Sequence, residues 1–266
     1  MNSAPIGVFD SGVGGLSVLR AIRTALPNEH LYYVADSGHV PYGIRTADYL
    51  RHRAMTLSHF LLEQNVKALV IACNTATVAA VAHLRATVSV PIVAVEPAVK
   101  PAVTITKTGV VGILATEATF ASAQFSLLRD RFGAEVTILT QACPLLVQQV
   151  EAGDLVSPIT HTLIKHYTKP LLAAGIDTLV LGCTHYPFLR PTIDHIVGTD
   201  ITIIDTGEAV SRQLSRVLAE QHLLNIDSPG GTERFWTSGE VQPAQQIIST
   251  LWGHPVRVER LPQAVI

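Results

Sequence analysis

The sequence has little charge and no basic cluster, and both shortages exclude classes of protein. Charged residues make up 15% of the 266 residues and apolar residues 48%, so the chain can bury a sizeable core and is not a disordered protein. Its 19 basic and 21 acidic residues are scattered, and no Lys/Arg stripe could neutralise a phosphate backbone. We therefore expect no nucleic-acid partner.

Long apolar runs are also missing. No run approaches the ~18 residues that a membrane helix needs, and the longest are strand-length, such as Ala68–Cys73. The first residues do not form a charged segment followed by an apolar one, and Asp10 soon interrupts the first apolar stretch. The sequence therefore predicts no membrane partner and a cytoplasmic location.

Cysteines are few and odd in number: Cys73, Cys143 and Cys183. An odd count in a chain of cytoplasmic character argues against a disulfide framework. No CxxC or HExxH spacing indicates a metal, so we expect none. What is left for the cysteines is thiol chemistry or simple burial in the core.

Strand-length apolar segments alternate with helical ones along the whole chain, which predicts α/β domains with parallel sheets. The pattern then restarts, because Leu69-Val-Ile-Ala-Cys-Asn-Thr75 aligns with Leu179-Val-Leu-Gly-Cys-Thr-His185 and Ile6–Ser11 aligns loosely with Val111–Thr116. Chance could make apolar strands alike, but it explains the matched cysteine less well. We expect two pseudosymmetric lobes, the first formed by residues 1–97 plus 207–266 and the second by residues 98–206.

Polar motifs follow the predicted strands, where open parallel sheets bind their ligands. They are Asp10-Ser-Gly-Val-Gly-Gly15, Asp36-Ser-Gly-His-Val-Pro-Tyr-Gly43, Cys73-Asn-Thr75 and Cys183-Thr-His185. The first motif fits neither the dinucleotide fingerprint nor a P-loop; it forms either an anion-binding turn or a tight turn capped by Asp10 or Ser11. In the second, Tyr42 and Gly43 either offer a hydroxyl and an N–H to a ligand or only form a turn.

The two strand-end cysteines are the sharpest indication of chemistry. Inverting a stereocentre through a carbanion needs a base on one face and an acid on the other, and two thiols in equivalent positions could provide both. We predict a helix after each cysteine, at Thr75–Ala86 and Pro187–Ile196, whose N-terminus would stabilise a thiolate. Cys143 has no such polar neighbours and is assigned to the core.

Two further side chains could assist the thiols. His185, two residues after Cys183, could tune that thiol or bind substrate. Asp10 could pair with a substrate ammonium group or orient a thiol. Simple capping is the alternative for both, and a solvated helix end is the alternative for Glu151.

At these residues the sequence resembles the glutamate racemases of the aspartate/glutamate racemase superfamily. The motifs that carry the resemblance cover most of the chain, and together they are highly specific. They are Gly7-Val-Phe-Asp-Ser-Gly-Val-Gly-Gly-Leu16, Pro41-Tyr-Gly43, Ala72-Cys-Asn-Thr-Ala76, Glu96-Pro-Ala98 and Gly182-Cys-Thr-His-Tyr-Pro187.

The resemblance implies a two-domain α/β isomerase with its active site in the cleft between the lobes and no cofactor. Cys73 would act on the D-isomer of glutamate and Cys183 on the L-isomer. It also implies a homodimer that supplies D-glutamate for peptidoglycan, and hence for cell-wall biogenesis and cell shape. The implied substrate contacts are Asp10, Ser11, Tyr42, Gly43, Asn74, Thr75, Thr184 and His185. Glu151, with Asp10 and His185, would be an auxiliary group.

One local departure concerns Gly38-His39, where many relatives have Ala-Arg, so the resemblance extends to the catalytic pair and not to the contacts of that loop. The first predicted strand begins close to residue 1, so we expect no N-terminal extension that senses a wall precursor.

Three alternatives stay open. The first is an aspartate or broad-specificity racemase, because aspartate is only one methylene shorter than glutamate and one methylene changes the binding free energy by only ~1–3 kcal/mol. A non-catalytic two-lobed amino-acid sensor would need no paired cysteines. A phosphotransferase with Asp10 as nucleophile would need a second Asp two residues on, and this sequence has Gly12 there.

Overall fold

The chain is divided into two compact units. The structure, a computed structural model, describes residues 3–133, 136–226 and 230–266. The first unit comprises Met1–Val95 and Gly207–Ile266, and the second comprises Glu96–Thr206. The first unit is therefore discontinuous in sequence, and the second is one continuous segment.

Strands and helices alternate in both units. The strands are β1 (Ile6–Asp10), β2 (Leu31–Ala35), β3 (Ala68–Ile71), β4 (Ile92–Ala94), β5 (Val110–Ala115), β6 (Thr137–Ala142), β7 (Thr178–Leu181), β8 (Thr202–Ile204), β9 (Glu233–Thr237) and β10 (Val258–Arg260). The helices are α1 (Leu16–Ala25), α2 (Ala47–Glu63), α3 (Asn74–Thr87), α4 (Val99–Ile105), α5 (Glu117–Phe120), α6 (Ala123–Phe132), α7 (Pro144–Glu151), α8 (Pro158–Ala173), α9 (Arg190–Val197), α10 (Gly207–Glu220) and α11 (Val241–Trp252).

Each unit contains one parallel sheet. The order in the first unit is β10-β9-β2-β1-β3-β4, and the order in the second is β6-β5-β7-β8. The neighbours in both sheets pair in parallel. The predicted α/β fold with two parallel sheets is thus confirmed. The first unit adds β9 and β10 at one edge of an arrangement that otherwise matches the second.

The two sheets share their register as well as their order. Gly7 on β1 lies opposite Leu69 on β3, and Gly112 on β5 lies opposite Leu179 on β7. These are the alignments that the internal repeat predicts. It follows that Cys73, after β3, and Cys183, after β7, occupy equivalent places in their sheets.

Glycine at these two positions also lets a helix approach the central strand closely. A Cβ on Gly7 would lie 3.2 Å from the Cβ of Leu61 on α2, and one on Gly112 would lie 3.1 Å from the Cδ1 of Leu171 on α8. Both distances are tighter than ordinary van der Waals contact. Because glycine has no side chain, α2 and α8 can pack tightly against the sheets at these two positions.

The helices begin where the sequence supplies a capping hydroxyl. The side chains of Thr46, Ser122 and Ser157 accept the backbone N–H three residues on, at the starts of α2, α6 and α8. Gly198 and Gly253, both with positive φ, end α9 and α11. Within the described ranges, no helix is both long and apolar enough to cross a membrane.

A buried ion pair joins the amino-terminal ends of β2 and β3. Lys67 Nζ lies 2.5 Å from Glu29 Oε2, and the two side chains are only 3% and 2% exposed. Glu29 Oε1 also accepts the backbone N–H of Asn225, which follows α10, at 2.8 Å. The pair therefore connects three separate stretches of the first unit. It lies at the amino-terminal ends of the strands, whereas the polar motifs follow their carboxyl ends.

We predict that Lys67→Met lowers the free energy of unfolding by about 3–5 kcal/mol, because Glu29 would stay buried without its cation. Urea denaturation would measure the loss. The matched control is Arg216→Met, which removes an exposed partner of Glu220 on α10 and should change stability by about 0.5 kcal/mol or less. Equal effects of the two variants would contradict the prediction.

Candidate active site

In the first unit the polar turn after β1 is built around Asp10. Asp10 is fully buried, and its Oδ2 accepts the backbone N–H of Gly15 at 2.8 Å. Tyr33 on β2 donates its hydroxyl to the carbonyl of Gly12 at 2.6 Å. A Cβ on Gly15 would come within 2.6 Å of the Asp10 Cβ, so this turn requires glycine there. The turn is consequently held rigid from two sides.

Cys73 caps the N-terminus of α3. Its Sγ accepts the backbone N–H of Ala76 at 3.4 Å and donates to Ser11 Oγ at 3.8 Å. The residue is buried, with 5% of its surface exposed. An N–H donor and the positive end of a helix dipole both stabilise negative charge on a sulfur. The structure thus brings Cys73 and Ser11 together, in a setting that suits a thiolate.

Asn74 and Thr75 open the first turn of α3 beside this sulfur, and both are buried. The side-chain amide of Asn74 is unusual, because neither its Oδ1 nor its Nδ2 has a hydrogen-bond partner among the described residues. A buried polar group without a partner costs about 1–3 kcal/mol. An amide kept in that state next to a candidate nucleophile suits the recognition of a polar ligand.

The Tyr42 side chain is anchored by Asp36, which follows β2. The buried Tyr42 hydroxyl donates to Asp36 Oδ2 at 2.5 Å. Burial first, and the Asp36 carboxylate second, raise the pKa of Tyr42 well above 10, so the phenol stays protonated. The predicted ligand contact of this hydroxyl is thus limited to its oxygen lone pairs. Gly43 follows in the same short 3₁₀ turn.

Arg53 on α2 completes this network, and sequence reasoning did not single it out. Its Nη2 and Nε donate to the two Asp36 oxygens at 2.7 and 3.0 Å, and its Nη1 donates to the carbonyl of Val265 at 2.9 Å. Asp36 stood in a recognised polar motif. Arg53 carried no local signal, because an arginine within a helix is ordinarily exposed. Its role depends on contacts between parts of the chain far apart in sequence.

In the second unit, Cys183, His185 and Glu151 form a hydrogen-bonded series. The Nδ1 of His185 lies 3.6 Å from Cys183 Sγ, and its Nε2 lies 2.7 Å from Glu151 Oε1. His185 and Cys183 are buried, and the Glu151 side chain is 16% exposed. Glu151, at the end of α7, is therefore not the solvated helix end that its sequence context alone would allow. It binds the imidazole that contacts the thiol.

The protonation of His185 follows from these contacts. Burial lowers the pKa of His185, but the hydrogen bonds to Cys183 and Glu151 outweigh burial and raise it well above 6.5. The imidazole accordingly holds a proton at neutral pH and can stabilise a thiolate at Cys183.

The chain that follows Cys183 differs from the prediction. Instead of one helix over Pro187–Ile196, a 3₁₀ turn at Tyr186–Leu189 comes before α9, which begins at Arg190. Cys183 thus has no long helix starting directly after it, and the nearby His185 takes the place of the helix N-terminus. Thr184, the residue between Cys183 and His185 in the sequence, is also buried.

Cys143 behaves as the sequence predicted. It is fully buried, its Sγ donates to the carbonyl of Gln141 at 3.3 Å, and burial raises the pKa of its thiol strongly. Such a thiol is inert. Over the described ranges, no group of three or more His, Cys, Asp or Glu side chains could hold a metal ion.

Two buried thiols thus stand at equivalent strand ends, each with a hydrogen-bonding group beside its sulfur. Residues 6–214 match the Asp/Glu/Hydantoin racemase family, and the chain belongs to that family of isomerases.

The curated relatives narrow the comparison to glutamate racemases. The glutamate racemase of Pseudomonas entomophila is 56% identical over 261 residues, which cover 98% of each chain. Among solved structures, a glutamate racemase isoform from Bacillus anthracis superposes with a TM-score of 0.91 at 33% identity, with all of both chains covered. The Escherichia coli glutamate racemase, solved with L-glutamate and an activator, gives a TM-score of 0.86 at 29% identity, covering 97% of this chain and 98% of its own.

We predict that Glu151→Gln lowers the pKa of His185, because the neutral amide no longer stabilises the imidazolium. Ring-nitrogen NMR during a pH titration would measure this. In the unsubstituted protein His185 should keep its added proton to a pH well above 6.5, the ordinary pKa of a histidine.

The same shift links pH to stability. The pKa of His185 is higher in the folded protein than its unfolded value of about 6.5. The stability that protonated His185 adds is therefore complete below pH 6.5 and is lost as pH rises through the folded pKa. Glu151→Gln should therefore destabilise the protein more at pH 6 than at high pH. Glu208→Gln, at an exposed partner of Arg212, is the control. A His185 titration unchanged by Glu151→Gln would refute the assignment.

Proposed function

We propose that the chain interconverts L- and D-glutamate without a cofactor, with Cys73 and Cys183 as the two acid–base groups. The observation that carries the proposal is the equivalence of the two buried thiols, each following the corresponding strand of its own parallel sheet. Full-length similarity to glutamate racemases supports glutamate as the substrate.

The reaction would proceed in two proton transfers. With L-glutamate, the Cys183 thiolate takes the Cα proton, and the electron pair of the broken C–H bond remains on the substrate as a carbanion. The Cys73 thiol then donates its proton to the opposite face, which gives D-glutamate and leaves Cys73 as the thiolate. Starting from D-glutamate the roles reverse. The proposal requires both sulfurs to reach the Cα of one bound substrate from opposite sides.

Each sulfur has its own support for carrying negative charge. Cys73 receives the Ala76 N–H at the start of α3, and Cys183 contacts the protonated imidazole of His185. General acid–base catalysis of this kind contributes about 10²–10⁴-fold to a rate. The two settings differ chemically, so the two proton transfers need not be equally fast.

Substrate recognition would draw on the buried polar groups around the thiols. We assign it to Asp10, Ser11, Tyr42, Gly43, Asn74, Thr75, Thr184 and His185. The unpartnered amide of Asn74 is the strongest individual support, since a bound carboxylate or ammonium group would satisfy it. Backbone N–H groups at strand-to-helix turns suit the carboxylates of glutamate, and preorganised donors stabilise the developing carbanion. Glu151 would act indirectly, by holding His185.

The biological role that we infer is the supply of D-glutamate for peptidoglycan, and hence for cell-wall biogenesis and cell shape. A cytoplasmic location is consistent with three free cysteines, since a reducing compartment keeps thiols reduced. We further propose a homodimer, which light scattering coupled to size exclusion would test directly.

The first experiment is proton NMR of L-glutamate in D₂O with reduced protein and no added cofactor. We expect loss of the Cα proton signal and appearance of D-glutamate in a chiral assay of the same sample. Exchange of L-aspartate in place of L-glutamate would change the substrate and keep the mechanism. If neither amino acid exchanges, the two-thiol mechanism is wrong and a binding protein becomes the better explanation.

Single substitutions then test the thiols. Cys73→Ser and Cys183→Ser should each lower racemisation at least about 100-fold, because a hydroxyl is a far weaker acid than a thiol. Cys143→Ala is the matched control, since its buried thiol only donates to the main-chain carbonyl of Gln141, and it should keep racemising. Retained glutamate binding in the two serine variants would show that chemistry, and not folding, was lost. Undiminished turnover in either one would exclude the two-base mechanism.

A further inference from the structure

Tyr186 follows directly after His185 in the strand-end motif, and no step of the proposed reaction uses it. Its side chain is completely buried. The hydroxyl donates to the carbonyl of Cys143 at 3.0 Å, with the carbonyl of Ala115 at 3.4 Å. One phenol hydroxyl thus contacts two main-chain carbonyls, one at the end of β5 and one directly after β6.

One of these acceptors, the carbonyl of Cys143, lies at the start of the helix that carries Glu151. Ala115 is the last residue of β5, and its carbonyl also accepts the Cys143 N–H at 3.0 Å. Cys143 lies directly before α7, and Glu151 is the last residue of that helix. The Tyr186 hydroxyl therefore fixes the start of the helix whose end binds His185.

These contacts form a closed ring of residues in the second unit. His185 binds Glu151, which α7 joins to Cys143. The carbonyl of Cys143 accepts the hydroxyl of Tyr186, and Tyr186 is bonded to His185 in the chain. The turn itself is closed by a backbone hydrogen bond from Tyr186 N to the carbonyl of Cys183 at 3.1 Å. Burial, and next the nearby sulfur of Cys183, raise the pKa of the phenol, so it remains a donor at any pH of interest.

We propose that Tyr186 is a positioning residue for the Cys183 side of the reaction. It holds α7 in the register that places Glu151 against His185, and through His185 it sets the thiol. This inference rests on the proposed function. The corresponding place after Cys73 has a helix N-terminus instead, so the Tyr186 hydroxyl should influence only one of the two proton transfers.

The test is Tyr186→Phe, which removes the hydroxyl and keeps the ring. We expect kcat to fall on the order of 10–100-fold, as for a small misplacement of a catalytic group, with KM changed much less. Slower transfer at Cys183 should raise the kinetic isotope effect on kcat/KM for Cα-deuterated L-glutamate. The effect for Cα-deuterated D-glutamate should fall, since the Cys73 step then limits the rate less.

The isotope effects separate positioning from simple stability. Thr168→Val is the matched control, because it removes another fully buried hydroxyl of the second unit, which donates to the carbonyl of Ile164 at 2.8 Å. It should lower the melting temperature and leave both isotope effects unchanged. If Tyr186→Phe does not fold, Val147→Ala loosens the packing of α7 with the tyrosine in place and should give the same asymmetry.

The outcomes distinguish this inference from the function on which it rests. If the unsubstituted protein shows no Cα exchange, the proposed function fails. If it racemises glutamate but Tyr186→Phe changes both isotope effects equally, changes neither, or raises only that of D-glutamate, the function stands and the role of Tyr186 is wrong. A rise confined to L-glutamate supports it.

Discussion

A buried sulfur can carry negative charge only if a donor lies beside it, and this constraint explains the construction of both thiol sites. Cys73 obtains its donor from the backbone, as the capping residue of α3. Cys183 has only a 3₁₀ turn after it and obtains its donor from an imidazole that Glu151 holds. Two sheets that share the order of four strands thus stabilise a thiolate at the same place with different groups.

Much of the fold could be predicted from the sequence, because buried parallel strands are apolar on both faces and stand out from the amphipathic helices between them. The repeat was also visible, and the pairing of Gly7 with Leu69 and of Gly112 with Leu179 confirms its alignment. The helix after Cys183 was the clearest error. Nothing in the local pattern distinguishes a helix that starts at Pro187 from a 3₁₀ turn followed by a helix at Arg190.

The positions of the thiol residues were predictable for a related reason, since polar residues at the ends of apolar strands are conspicuous. Their supporting contacts were not. Arg53 reaches Asp36, and Tyr186 reaches the carbonyl of Cys143, over separations that no periodicity reports. Glu151 became understandable only when the end of α7 was placed against His185. Sequence patterns indicate the candidate residues, whereas contacts distant in sequence show how those residues are held.

The discontinuous first unit has a consequence for biosynthesis. Its strand β9, on residues Glu233–Thr237, pairs with β2 and lies between β2 and β10 in the sheet. A ribosome delivers β2 long before β9, and the whole of Glu96–Thr206 is made in the interval. During that time β2 is paired with β1 on one side only, and its other side is a sheet edge that is prone to pair with other chains. The second unit is continuous, so its sheet can be completed before β9 and β10 of the first unit have been synthesised.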